Sequence, residues 1–200
     1  VLGPQPVADL LGNIVLPSLT LSVVDAASSA FMGKYGKGVA DKRLTIYDHG
    51  GIAGLPMSRR YTCEGLATGR TDLLKNGVLA GYLSNSYYRN KVLNDPFSKD
   101  KIGAEPASIS DAFVPRNGFR PGEAMLRNFR GRPCIVPTNI IVETSETVSF
   151  DELVKMVGDG IYIGRIWYTY PINGLIAGDF TCTVVGDSYI IEGGKITEPL

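Results

Sequence analysis

The stretch Leu73-Leu74-Lys75-Asn76-Gly77-Val78-Leu79 decides the reading of this chain. Two apolar pairs flank a short polar centre, and Asn-Gly accepts positive φ at both positions of a two-residue turn. The stretch is therefore read as a tight β-hairpin. Working outward, strand signals recur at Leu44–Tyr47, with Asp48-His49-Gly50-Gly51 read as the turn that ends the run, and at Thr138–Glu143, Ile161–Tyr170, Phe180–Val185 and Ser188–Ile191. Gly193-Gly194 turns the last of these into Lys195-Ile196-Thr197 as a second hairpin. Tight hairpins imply antiparallel pairing.

Helical signals are shorter. Val7, Leu10, Leu11, Ile14 and Val15 share a helical face behind Pro6, and Pro17 is expected to end or kink that helix. Around Leu19, Leu21 and Val23 helix and strand compete, Asp25–Phe31 is rich enough in small residues to be helical, and Ser84–Leu93 reads as a short helix. Ser149-Phe150-Asp151-Glu152 has the form of a capping box ahead of Leu153, Val154, Met156 and Val157, with Gly158 or Gly160 closing the helix. Residues 94–137 carry six prolines and little periodicity, so they read as a long loop. The fold class expected is α+β: a strand-rich, mainly antiparallel sheet with a few short helices at its two ends.

Composition narrows function. The chain has 200 residues, 44% hydrophobic and 20% charged, with formal net charge zero. That suits one soluble domain, or two small subdomains, without global attraction to nucleic acid or anionic membrane. No apolar run approaches the roughly 18 residues that would cross a bilayer. The opening Val1-Leu2-Gly3-Pro4 lacks Met and any leader signature, and is read as the start of a segment of a longer protein. Cys63, Cys134 and Cys182 form no C-x-x-C pair and are expected as reduced thiols in a cytoplasmic protein.

Candidate chemistry is sparse. His49 is the single histidine, so a site built from imidazoles cannot form within the chain. A Cys63–His49 dyad is conceivable, but a turn-capping role suits His49 better. Asp48, Glu64 and Asp72 lie beside turns, where carboxylates are usually solvated. Arg116, Arg120, Arg127, Arg130 and Arg132 fall within 17 residues, interleaved with Phe119 and Phe129. Such a cluster can be a solvated loop, grip a peptide carboxylate or partner, or hold a nucleic-acid strand.

Several segments in order resemble the C-terminal half of the TldD/PmbA family, peptide-maturation metalloproteases once named modulators of DNA gyrase. Cys63-Glu64-Gly65-Leu66-Ala67-Thr68-Gly69-Arg70, followed by Leu73–Leu83, is similar to that family's D-E-G-x-x-T-x-R and L-I-x-N-G-V-L-x-G-Y-L. Pro137–Glu143 resembles its T-N-L-x-V-E strand. Phe150–Ile163 resembles its E-L-I helix and G-I-Y-V strand. Gly178-Asp179-Phe180 and Tyr189–Ile196 resemble G-D-F/Y-S and F-x-I-E-N-G-K-I. The shared order spans nearly all of residues 1–200, so the whole chain is read as one C-terminal-type domain of that family.

Catalytic members carry H-E-x-x-x-H on a helix upstream of a stretch like Phe31–Ala40. Counting back without gaps puts Gly12, Asn13 and Pro17 where His, Glu and His would stand. Gly and Pro offer no ligand atom, and Asn is no general base. A third ligand, a cysteine, would lie beyond Leu200. The resemblance is therefore closest to the PmbA/TldE type, whose L-L-G-x-x-V helix matches Leu10–Val15. It implies no catalytic residue and no metal or cofactor in this chain, with zinc in a TldD-type partner. It implies a homo- or heterodimer that encloses an unfolded peptide. On this reading Asn139, Ile141, Glu143, Asp179 and Thr181 are the candidate peptide contacts, and Arg127 and Arg130 the candidate partner contacts. Nucleic acid and membrane are not expected as partners. The alternatives are a divergent homodimeric metallopeptidase with a relocated metal, and a nucleic-acid or gyrase-associated binding module.

Overall fold

In the computed structural model, residues 1–121 and 130–200 are described. They form two compact units: residues 18–145, and residues 1–17 together with 146–200. The class is α+β, and every named strand pair is antiparallel.

The larger unit is built on the hairpin. β1 (Leu44–His49), β2 (Arg70–Lys75), β3 (Val78–Leu79), and the later strand β6 (Ile140–Thr144) form one sheet in the order β3-β2-β1-β6. Asn76 and Gly77 take φ of 49° and 75°, the left-handed pair that a two-residue turn demands. Gly77 is also required sterically. A Cβ there would lie 2.7 Å from the Asp41 carbonyl oxygen and closer still to that of Ala40. Leu73, Leu74, Leu79 and Ile46 fill the core against Leu19, Leu21, Val24, Tyr82, Leu83, Val92, Ile102 and Phe113.

The helices that cover this core were partly unforeseen. At Leu21 helix wins over strand, giving α3 (Leu21–Asp25). It does not continue to Phe31. Ala27 enters the left-handed region at φ 55°, and the N–H groups of Ala27 and Ser28 turn back to Val24 and Val23, which closes the helix. α4 (Ser86–Asn94) starts where the Asn85 side chain accepts the Tyr88 N–H. The stretch 94–137 is not structureless in its described part. It holds α5 (Ser98–Ile102), ended by Gly103 at φ 90°, a 3₁₀ helix (Pro106–Phe113) with Pro at its start, and the pair β4 (Gly118–Phe119) with β5 (Cys134–Ile135). Pro106 opens the 3₁₀ helix, where its missing N–H costs nothing. So helices sit in the middle of the chain as well as near its ends.

The smaller unit begins with α1 (Pro4–Leu10), a π-helical turn (Leu11–Val15) and the first two residues of α2 (Leu16–Ser18). Pro17 does not stop the helix at residue 16. It supplies no N–H, and its ring crowds the carbonyl one turn earlier. The turn before it is widened, with the Leu16 N–H reaching back to the Leu11 carbonyl. α6 (Phe150–Val157) has the complete capping box: Ser149 accepts the Glu152 N–H, and Glu152 accepts the Ser149 N–H at 2.7 Å.

The expected single run 161–170 is two strands in different sheets. β7 (Gly160–Ile163) joins β10 (Ser188–Glu192) and β11 (Lys195–Pro199), while β8 (Ile166–Tyr170) pairs only with β9 (Thr181–Val184). The break falls at Gly164, where a side chain would overlap the Asp187 carbonyl. Among the described residues, no helix is long and apolar enough to cross a membrane.

Candidate functional site

β6 is the outermost strand of its sheet, paired on one side with β1 and, among the described residues, with no strand on the other. The register is Leu44↔Thr144, Ile46↔Val142 and Asp48↔Ile140. The His49 N–H bonds the Asn139 carbonyl, and the Ser145 N–H bonds the Arg43 carbonyl. In an antiparallel ladder the hydrogen-bonded pairs alternate. Residues 139, 141, 143 and 145 therefore turn their main-chain groups toward β1. Those of Ile140 and Val142 face outward, at the sheet edge. The sequence reading singled out Asn139, Ile141 and Glu143; the outward positions are the two that alternate with them. A register on β1 was the missing signal.

The approach to β6 is held from inside. Asp48 is 1% exposed. Its carboxylate accepts from the Asn117 side chain at 2.7 Å, and from the Thr138 N–H at 2.6 Å and hydroxyl at 2.9 Å. Asn117 also donates to the Val136 carbonyl at 3.1 Å. Burial pushes the Asp48 carboxyl above its ordinary value, and the hydrogen bonds from Asn117 and Thr138 pull part of the way back. The expectation of a solvated turn carboxylate is thus corrected: β1 extends through His49, which carries Asp48 into the interior.

Asn139 is equally engaged. Its amide donates to the His49 carbonyl at 3.0 Å and the Ser58 hydroxyl at 3.2 Å, and accepts the Met57 N–H at 3.1 Å. The side chain fastens the loop 50–58 to the start of β6. Glu143 accepts the Tyr47 hydroxyl at 2.8 Å. That bond, then burial, raises the Tyr47 phenol above its usual value. The Arg70 guanidinium lies 3.7 Å over the Tyr47 ring and bonds Asp72 at 2.7 Å.

The other candidates separate. His49 Nδ1 accepts the Gly51 N–H at 3.0 Å, the turn-capping role expected of it, and no described hydrogen bond joins it to Cys63. Glu64 accepts the Ser86 N–H at 3.1 Å, so Asp48, Glu64 and Asp72 each have their own partners and share none. Asp179 and Thr181 belong to the smaller unit. Asp179 accepts from the Asn173 N–H at 3.2 Å and its side chain at 2.5 Å, and Thr181 pairs with Tyr170. Arg127 lies outside the described residues, whereas Arg130 is in the turn that leads to β5. Arg116 donates to the Arg70 carbonyl.

The residues standing at the zinc-motif positions do not suit a metal. Gly12 and Asn13 lie exposed in the π-helical turn, and Pro17 follows it. Among the described residues, no three of His, Cys, Asp and Glu come together as a metal-holding group.

Among known proteins, the chain is 29% identical over 198 residues to an uncharacterized protein of Methanocaldococcus jannaschii, covering 98% of this chain and 39% of that one. It is 29% identical over 173 residues to the metalloprotease TldD homolog of Haemophilus influenzae, covering 86% of this chain and 30% of that one. The chain thus spans less than half the length of either relative. The crystal structure of TldE from Thermococcus kodakarensis shares the fold at a TM-score of 0.72 and 18% identity, over 98% of this chain and 38% of that one. The family model of the PmbA/TldA metallopeptidase C-terminal domain matches residues 1–200, and the chain belongs to that family.

Proposed function

We propose that this chain is the C-terminal part of a PmbA/TldE-type subunit, free of zinc itself, that joins a zinc-bearing TldD-type subunit in a peptide-processing protease. In this role it lends the outer edge of β6 to an extended peptide. The observation that carries the reading is the outward main chain of Ile140 and Val142 on a strand whose second side meets no strand among the described residues. Strand addition binds a peptide through its backbone and so accepts many sequences, which suits an unfolded substrate. The side chains at 12, 13 and 17 support the absence of zinc, because none supplies the imidazole or carboxylate that such a site needs. Asp179 and Thr181 remain proposed cleft contacts, and Arg127 and Arg130 proposed partner contacts.

The test is reconstitution with a TldD-type subunit and an unfolded peptide. Val142→Pro removes an outward N–H. Cleavage is expected to fall about tenfold while assembly is retained, and undiminished cleavage would overturn the β6 reading. A second reading, a metallopeptidase with a relocated metal, draws on the Haemophilus influenzae relative's name. Metal analysis of the purified chain separates the two: stoichiometric zinc selects the second reading, and its absence the first.

A further inference from the structure

A cleft of about 490 Å³ opens beside the loop 50–58, with Ser58, Arg59, Arg60, Tyr61 and Phe119 among its lining residues. Its wall is pinned by main-chain bonds. The Arg59 N–H reaches the Gly50 carbonyl at 2.9 Å, the Thr68 N–H reaches Arg60 at 3.0 Å, and the Cys63 N–H reaches Gly118 at 2.9 Å. The Arg59 guanidinium lies 5.2 Å over the buried Phe119 ring. Among the described residues, no acidic side chain lines the cleft. Neither Arg59 nor Arg60 has a carboxylate partner among the described residues, whereas Arg43, Arg70 and Arg165 each pair with an aspartate. Arg59 and Arg60 are neighbours in sequence and both line the cleft, so it carries two positive charges, and an oxyanion there can accept charge-assisted N–H bonds from them.

The place of the cleft narrows the anion. Ser58, on its wall, accepts from Asn139, the residue that leads into β6. A peptide added antiparallel to β6 runs toward Asn139, so the end that approaches the cleft is its carboxyl end. The geometry points to a carboxylate subsite at Arg59 and Arg60 that receives the C-terminus of a peptide lying on β6, with Phe119 and Tyr61 beside its last side chain. This subsite rests on the reading of β6 as the peptide-binding edge.

The test uses the isotope-labelled chain and three probes followed by NMR. They are an acetylated Ala-Ala-Ala-Phe free acid, its C-terminal amide, and the amide with Glu in place of Phe. The free acid is expected to shift the resonances of 58–63 and 140–142 and to bind about tenfold tighter than the amide. Arg59→Gln with Arg60→Gln should bring the acid down to the amide's affinity, and the paired Lys variants should fall between. Tighter binding by the Glu amide than by the Phe amide supports carboxylate recognition and assigns its source to a side chain. Equal binding of acid and amide, an unaffected Gln variant, or tighter binding by inorganic phosphate than by the acid overturns the subsite. Shifts at 140–142 that are equal for acid and amide would leave β6 standing and remove the cleft. Shifts confined to 58–63 would leave an anion-binding cleft but overturn its assignment to the C-terminus of a peptide lying on β6.

Discussion

Thr138 gives the Asp48 carboxylate two hydrogen bonds, from its N–H at 2.6 Å and from its hydroxyl at 2.9 Å. This pair ties the end of β1 to the residue two before β6, and so sets where the outer strand starts. Because burial outweighs these bonds in raising the Asp48 carboxyl, protonation is easier in the folded chain than in the unfolded one. The folded state then holds more protons in the window from the unfolded value, about 3.9, up to the raised folded value. The stability that Asp48 contributes is present at the acid side of this window and declines as pH rises through it. Denaturant titrations of the native chain and of Asp48→Asn across this range should show the native protein losing ground relative to the variant as pH increases. A gap that moves the other way would contradict the direction of the shift.

Neighbouring prolines on β6 should behave differently. Ile141→Pro removes an N–H that faces β1 and leaves the opposing carbonyl of the ladder unpaired. Val142→Pro removes one that faces outward. Urea unfolding should place the Ile141 variant about 2 kcal/mol below the Val142 variant.

Gly77→Ala places a methyl against the Asp41 and Ala40 carbonyls at a φ of 75°. A loss of about 1–3 kcal/mol is expected, read as a lower urea midpoint with an unchanged slope.

Gly12 offers the opposite case. A Cβ there meets nothing within 4 Å, and the residue is exposed on a helical turn. Gly12→Ala should raise stability by about 0.5–1 kcal/mol through backbone entropy alone, measurable as an upward shift in thermal midpoint.

Charge reversal at Arg127 and Arg130 tests the proposed partner contact. Co-purification with a TldD-type subunit should weaken by about tenfold, and unchanged assembly would refute that role.

Local chemistry was readable where few atoms decide it. Asn76-Gly77 and the Ser149–Glu152 box specify their own geometry within four residues, and Gly193-Gly194 does the same for the last hairpin. The order of family-like segments carried the fold class. What stayed hidden depends on distant neighbours. The need for glycine at 164 is set by the Asp187 carbonyl, more than twenty positions away in sequence. Asp48 looks like a turn residue until Asn117 and Thr138 close over it. For the candidate site, the strand is legible in the sequence but which main-chain groups face outward is not, since alternation around Ile140 and Val142 has no phase until β1 is paired with it.

The open side of β6 has a cost in crowded solution. Ile140-Ile141-Val142 contains no lysine or proline that would discourage another backbone from docking. An edge that accepts strands of any sequence accepts those of its neighbours too. The purified chain should therefore self-associate as its concentration rises, and a bound peptide should act as a solubiliser.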